Sequence, residues 1–127
     1  MATSRDMLRV LLTAHCELTE VASELAQQLR ALLLRGNADD HALSRSGLSH
    51  TVLSTLANRK PPRDATVQQA TRHADIQHLA QVIIAYRDEL FANRQQMATV
   101  VNDLVPGITS QPGMGPFKAA RSILDSH

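Results

Sequence analysis

Residues 64–104 read DATVQQATRHADIQHLAQVIIAYRDELFANRQQMATVVNDL, the longest segment of the chain in which a helical pattern runs without interruption. Alternating steps of three and four give a stripe that is apolar or aromatic at all but one position: Ile76, Leu79, Ile83, Tyr86, Leu90, Asn93, Met97, Val100 and Leu104. An apolar residue about every 3.5 positions is typical of a coiled-coil seam. The segment also lacks Pro and Gly, which disrupt helix interiors. A helix of this length cannot bury its stripe on itself, so the sequence predicts a partner helix.

A second stripe with the same spacing occupies the N-terminal part of the chain. It consists of Leu8, Leu11, His15, Leu18, Ala22, Leu25, Leu29 and Leu32. Ser4 is predicted as the N-cap of this helix, and Gly36 and Asn37 are predicted to end it. Two seams joined by a short segment favour an antiparallel hairpin, although the same seams could pair between two chains.

The predicted fold class is therefore all-α, with a long antiparallel coiled-coil helical hairpin, a short clamp helix and a C-terminal helix-hairpin-helix-like element. The seam residues that define the hairpin are Leu11, Leu18, Leu25, Leu32, Ile76, Leu79, Ile83, Leu90 and Met97. His15 and Asn93 are the polar positions in the stripes. Each is expected to lie at the seam edge or to set the register, with a pH-sensitive His at an interface as the alternative.

Composition restricts the possible function. The chain has 127 residues, the size of one domain, and only 2% aromatic residues, which argues against a thick globular core or a surface of stacked rings. A net charge of +1 means that any nucleic-acid signal must come from a local patch. Cys16 is the single cysteine, so an intramolecular disulfide is excluded. The sequence shows neither a signal peptide nor a membrane-spanning run, and we expect a soluble cytoplasmic protein.

The segment between the two long helices contains possible metal ligands. Asp39, Asp40 and His41 are adjacent, but consecutive side chains point in different directions, and Asp before a helical turn is typically a cap. His73 and His78 are five residues apart and would lie on different sides of a helix. The sequence therefore predicts capping here and no metal site.

A short helix is predicted over residues 49–58. Ser49 can act as its N-cap, and Leu48 and Leu53 can form a hydrophobic staple across the cap. The helix would then place one apolar edge on the hairpin.

The densest run of positive charge follows this helix, at residues 59–63, which read RKPPR. Arg59, Lys60 and Arg63 could contact phosphates, or the run could be a solvated turn. Both interpretations remain open at this point.

Residues 111–124 read QPGMGPFKAARSIL, the most distinctive local motif of the chain. Two glycines permit a tight turn with outward-facing backbone N–H groups, and Pro116 can begin the next helix, whose positive end would face the same way. The pattern resembles the helix-hairpin-helix element of DNA-binding proteins, which holds a backbone phosphate without reading sequence. The alternative is a plain turn between two helices. The residues expected to contact nucleic acid here are Gly113, Gly115, Lys118 and Arg121.

Several segments together resemble the middle of the DEDD-type insertion-sequence transposases, bacterial recombinases guided by a bridge RNA. They are ELAQQLRALL at residues 24–33, the basic Pro-interrupted turn, the long heptad helix, VPG at 105–107 and QPGMGPFKAA at 111–120. In that family, the region joins a nuclease-like domain with four metal-binding carboxylates to a C-terminal domain that carries a serine nucleophile.

The resemblance implies a truncated part of such a transposase, with the coiled-coil hairpin over residues 1–104 and the start of the C-terminal domain over 105–127. Neither catalytic part is covered, and no role is transferred to Ser122 or Ser126. The resemblance implies homodimerisation through the coiled coil and contact with DNA or a structured guide RNA. No cofactor, metal, membrane or small-molecule substrate is expected.

Two other functions remain open. The chain could be a coiled-coil interaction module without nucleic acid, or it could be completed in trans by a separate catalytic chain. Within the sequence itself, Cys16 and its neighbour His15 point about 100° apart on a helix and cannot form a nucleophile and base.

Overall fold

In a computed structural model, which describes residues 3–126, the chain forms five α-helices and one 3-10 turn and contains no strand. The helices are α1 (Ser4–Leu34), α2 (Ala38–Arg45), α3 (His50–Asn58), α4 (Val67–Leu104) and α5 (Pro116–Asp125), and the 3-10 turn is Ile108–Ser110. The predicted all-α fold class is confirmed.

Both long helices begin with reciprocal capping. The Asp6 backbone N donates to Thr3 Oγ1 and the Thr3 N donates to Asp6 Oδ2, each at 3.1 Å. At α4, the Gln69 N donates to Thr66 Oγ1 at 3.1 Å and the Thr66 N donates to Gln69 Oε1 at 2.9 Å. Each box satisfies helix N–H groups that otherwise lack partners. The prediction of Ser4 as N-cap is therefore wrong by one residue, and α4 begins three residues later than the periodic segment does.

The short helices have side-chain caps of their own. The Asp40 backbone N donates to Asn37 Oδ1 at 2.9 Å, so Asn37 is the N-cap of α2. The prediction that Asp39 and Asp40 act as caps is wrong, because both lie inside the first turn of α2. Ser49 is confirmed as the N-cap of α3, since its Oγ accepts a hydrogen bond from the Val52 N at 3.2 Å.

Contacts group the chain into two compact units, and both long helices contribute to each of them. The central unit is Val21–Arg87, and the terminal unit combines Met1–Glu20 with Asp88–His127. Residues 105–126 thus pack with the N-terminal part of α1 and the C-terminal part of α4.

In the central unit, the C-terminal part of α1 packs against the N-terminal part of α4, with α3 on the same core. The buried apolar residues are Leu29, Leu33, Leu48, Leu53, Leu56, Ala57, Ile76, Ala80 and Ile83. Two glutamines of α4, Gln77 and Gln81, donate side-chain hydrogen bonds to the Ala57 carbonyl at 2.8 and 3.3 Å. These bonds serve a carbonyl at the end of α3, where the helix leaves its last C=O groups without partners.

In the terminal unit, the N-terminal part of α1 packs against the C-terminal part of α4 and against α5. The buried apolar residues are Leu8, Met97, Val101, Ile108, Ala119, Ala120 and Ile123. Asn93 is buried and donates from Nδ2 to the Leu11 carbonyl at 2.9 Å. This bond pairs one position of α4 with one of α1, as expected of a polar seam residue that sets the register.

Within each unit, α1 and α4 run antiparallel and their seams pair within the chain. Of the predicted seam residues, Ile76, Ile83 and Met97 are buried. The others, Leu11, Leu18, Leu25, Leu32, Leu79 and Leu90, are partly buried. Leu104, the last position of the α4 stripe, is 36% exposed, so the pattern continues past the contact. None of the described helices has an apolar stretch of the kind that crossing a bilayer needs.

Candidate nucleic-acid interface

The glycine turn, residues 111–115, contains the tight turn that its sequence predicts. The Met114 N donates to the Gln111 carbonyl at 3.1 Å, and Gly113 adopts a φ of +74°. A positive φ at the third residue of a turn, after Pro112 at the second, defines a type II turn and favours glycine. The turn changes the chain direction immediately before α5.

The N-terminus of α5 is uncapped. Gly115 is its N-cap residue, in an extended conformation, and no side chain accepts from the first turn. Pro116 occupies the first helical position, where its missing N–H costs nothing. Among the described residues, no atom outside Gly115 and its two chain neighbours lies within 4 Å of where a Gly115 Cβ would be, so the space beside this N-cap position is open. The first N–H groups of α5 and the positive end of its dipole can therefore meet an anion from outside.

Two cations lie beside this helix end. Lys118 and Arg121 are exposed and one turn apart, because Ala119, Ala120 and Ile123 bury the opposite face of α5. The Arg121 guanidinium lies 5.9 Å from the Phe117 ring centroid, a cation–π contact. Phe117 also meets the half-buried His15 ring at 4.7 Å between centroids. Of the predicted residues of this segment, Gly113, Gly115 and Lys118 lie at the N-terminal end of α5, and Arg121 lies one turn further along the same exposed side.

The cations of the basic loop, residues 59–65, differ in whether they form ion pairs. Arg59 is not a free cation, because its Nη1 lies 2.7 Å from Asp40 Oδ1 and its Nη2 lies 3.5 Å from Asp40 Oδ2. Lys60 and Arg63 are exposed, and neither forms an ion pair within residues 3–126. Of the three predicted phosphate contacts in this loop, two are available and the third is a structural anchor.

The Asp40 carboxylate is the centre of what we call the aspartate clasp: Asp40, Arg59 and Arg72. Asp40 is 2% exposed, and Arg72 Nη2 lies 3.3 Å from its Oδ2. The same Arg72 nitrogen donates to the Leu32 carbonyl near the end of α1, at 2.6 Å. Gly36 is required beside the clasp, because a Cβ there would collide with Asp40 and Arg72.

The clasp shifts two pKa values. Burial, the largest single effect, raises the pKa of Asp40, but the hydrogen bonds and charges of Arg59 and Arg72 outweigh it, so the pKa lies below the ordinary 3.8. Burial and the nearby Arg59 charge hold the pKa of His73 below its ordinary 6.5. Asp40 is thus an ionised carboxylate that is paired with both arginines. Among the described residues, no three His, Cys, Asp or Glu side chains come together to hold a metal ion.

Reasoning from the sequence missed the clasp. The sequence predicts Asp40 as a cap and Gly36 as a helix end, and it gives Arg72 no role. The partners of Asp40 lie 19 and 32 residues away along the chain, and no local pattern links them.

An apolar groove lies in the terminal unit, between α1 and α4. Its lining residues are Asp6, Met7, Val10, Leu11, Gln96, Thr99 and Val100. Met7 is 50% and Val10 69% exposed, unusually high values for apolar side chains next to each other on a helix. The sequence stripes did not predict this surface, because both residues lie outside the seam.

No protein-family model, curated protein or solved structure matches this chain.

Proposed function

We propose that this chain is a non-catalytic helical region of a DEDD-type insertion-sequence transposase, acting in the cytoplasm in DNA transposition and recombination. In this role it dimerises and contacts the phosphate backbone of DNA or of a structured guide RNA. The proposal combines the sequence resemblance with the exposed cations of the two segments that the resemblance singles out.

The observation that carries the proposal is the open end of α5. An uncapped helix N-terminus follows the left-handed Gly113, and Lys118 stands exposed beside it. Backbone N–H groups, a helix dipole and a cation in the same first turn favour a phosphate without selecting a base. This matches the demand on a scaffold that holds a nucleic acid without reading its sequence.

The proposal is tested by fluorescence anisotropy of the full chain with a labelled DNA duplex and a labelled RNA hairpin, titrated at several salt concentrations. The slope of log K against log salt is negative, and each lost phosphate contact reduces its magnitude by about 0.9 on duplex DNA. Lys118→Ala should therefore weaken binding severalfold at low salt and reduce the magnitude of the slope by the amount that about one phosphate contact contributes.

The matched control is Arg94→Ala, which removes an exposed cation from α4 in the same unit. It should leave the slope unchanged. If neither nucleic acid binds at low salt, the nucleic-acid role is refuted, and if both variants behave alike, the contact at the end of α5 is refuted.

The dimer is assigned to the apolar groove, with a second copy of this chain as its occupant. Asp6 and Arg9 are a pair of opposite charges, 3.2 Å apart, and each directly precedes one of the exposed apolar residues Met7 and Val10 on α1. A two-fold axis can exchange such a pair, so that each Asp6 faces the partner's Arg9 while the apolar residues cover each other. Two hairpins would then associate side by side in a four-helix arrangement.

The same groove supports a second candidate function, a coiled-coil interaction module without nucleic acid. Its exposed apolar side chains fit a protein partner and have no use for phosphate. Dimerisation with no binding to either nucleic acid at low salt would establish this function in place of the first.

A further inference from the structure

We propose that Asp40 is a positioning residue for nucleic-acid contact, because it fixes Arg59 and thereby holds Lys60 and Arg63 of the basic loop in place. The inference rests on the proposed function and assigns the acidic residue of the clasp a role in binding a polyanion. Arg59, Lys60 and Arg63 then have different roles: the first anchors and the other two contact phosphate.

Asp40 is itself firmly held. Its backbone N–H is capped by Asn37, and its carboxylate is buried against Gly36. Arg72 of α4 binds the same carboxylate and the Leu32 carbonyl of α1. The clasp therefore joins the end of α1, the first turn of α2 and the second turn of α4, and the side chain of Arg59 binds at this junction.

The chain after Arg59 transmits this anchoring. Arg59 is the C-cap residue of α3 in an extended conformation, and its N–H donates to the Leu56 carbonyl at 3.4 Å. Pro61 restricts Lys60 to extended conformations and Pro62 restricts Pro61, so the segment is stiff.

A turn then closes the loop. The Ala65 N donates to the Pro62 carbonyl at 3.1 Å, and the capping box of Thr66 follows immediately. With α4 fixed at one end and Arg59 at the other, the backbone that carries Lys60 and Arg63 has little freedom to lose when these side chains meet a phosphate.

Removing the Asp40 charge distinguishes positioning from simple electrostatics, because the two predict opposite changes in the affinity for nucleic acid. Asp40→Asn deletes a negative charge beside cations, so electrostatics alone would strengthen binding to a polyanion. If Asp40 positions the loop, the same variant instead weakens binding, by about three- to tenfold, because the freed loop must be ordered again on contact.

The experiment measures affinity and salt slope for the same DNA duplex with wild type, Asp40→Asn, the double variant Lys60→Ala/Arg63→Ala and the triple variant. Asp40→Asn should weaken binding and keep the salt slope, whereas the double variant should lower the slope by about two contacts. In the double-variant background, Asp40→Asn should have no further effect. Each variant is measured at a temperature where circular dichroism shows it folded.

Tryptic cleavage provides a readout without nucleic acid. Trypsin must engage the Arg59 side chain to cut before Lys60, and the clasp protects that side chain, which is 26% exposed. Asp40→Asn should accelerate this cut severalfold relative to cleavage after Arg94 in α4, which reports general unfolding. Gly36→Ala, which displaces Asp40 without changing charge, should act in the same direction.

The outcomes are distinct. If the wild type binds no nucleic acid, the proposed function fails and this inference fails with it. If the wild type binds and Asp40→Asn binds equally well or better, or if cleavage after Arg59 is unchanged, only the positioning role is overturned.

Discussion

Asp40 makes the central unit sensitive to acid. Its folded-state pKa lies below the ordinary 3.8, so on acidification the unfolded chain takes up this proton before the folded chain does. The stabilisation is complete above the ordinary pKa and is lost as the pH falls through the folded pKa. His73 acts in the same direction at higher pH, since its lowered pKa makes the folded chain bind a proton less readily than the unfolded chain below 6.5.

Asp40→Asn should lower the free energy of unfolding by about 2–3 kcal/mol at pH 7, less than for a fully buried ion pair because both arginines are partly exposed. The difference from wild type should shrink as the pH falls below 3.8. Urea unfolding followed by circular dichroism at pH 7, 5 and 3 measures it. Asp39→Asn, the exposed neighbour, should change little at any pH, and a difference for Asp40→Asn that stays constant down to pH 3 would contradict the assignment.

At this scale, the sequence identifies the unusual residues but not their partners. Asp39 and Asp40 look alike in the sequence, yet one is exposed and the other is buried by two arginines. A cap depends on neighbours three residues away, so Ser49 could be predicted. An ion pair that joins separate helices depends on the tertiary fold and could not.

At the scale of elements, a single substitution at α5 should change helix stability and the proposed phosphate contact in opposite directions. Its buried face fixes it in the terminal unit, and its N-terminus is left without a side-chain cap. A natural cap residue at Gly115 would stabilise the helix. The same residue would occupy the N–H groups that the proposed phosphate contact needs.

Gly115→Asp should therefore stabilise the protein and weaken binding at the same time. A carboxylate at the helix N-terminus adds about 0.3–1 kcal/mol of stability through the cap and the dipole. It also repels phosphate, so affinity for the DNA duplex should fall by about tenfold or more at low salt.

Thermal melts measure the expected gain in stability, and fluorescence anisotropy on the same samples measures the expected loss of DNA affinity. Gln95→Glu, on the exposed surface of α4 in the same unit, introduces an equal charge away from α5 and should affect binding far less. Equal loss of affinity in both variants would show that net charge, and not the α5 end, governs binding.

The helices themselves were largely predictable because their signals are local. Alternating steps of three and four located both seams, and glycine and proline located their ends. The strict stripe was too narrow, however. Leu33 and Ala80 are buried beside the seam in the core that contains α3, and Val101 is buried in the core that contains α5. Each long helix meets more than one neighbour, which no single-helix pattern reports.

At the scale of the whole molecule, a net charge of +1 conceals an uneven distribution. The central unit carries eight Arg and Lys residues against five Asp and Glu, and the terminal unit carries five against seven. The cations of α5 therefore act within an acidic unit, where added salt weakens both attraction and repulsion. We expect the basic loop of the central unit to contribute more of the salt-dependent affinity than α5 does, a comparison that the loop and Lys118 variants make directly.

The apolar groove predicts self-association, and a substitution at Val10 tests this prediction. Val10 is 69% exposed beside Met7 in the apolar groove, so Val10→Asp should not disturb the core. In a dimer it would bury a carboxylate without a partner, which typically costs several kcal/mol, about a hundredfold or more in the dimer dissociation constant. Analytical ultracentrifugation should show a concentration-dependent dimer for the wild type and a monomer for Val10→Asp. Val67→Asp, the same change at an 84% exposed position in the central unit, should dimerise like the wild type. A wild type that stays monomeric at all concentrations, or a Val10→Asp variant that still dimerises, would exclude the groove as the interface.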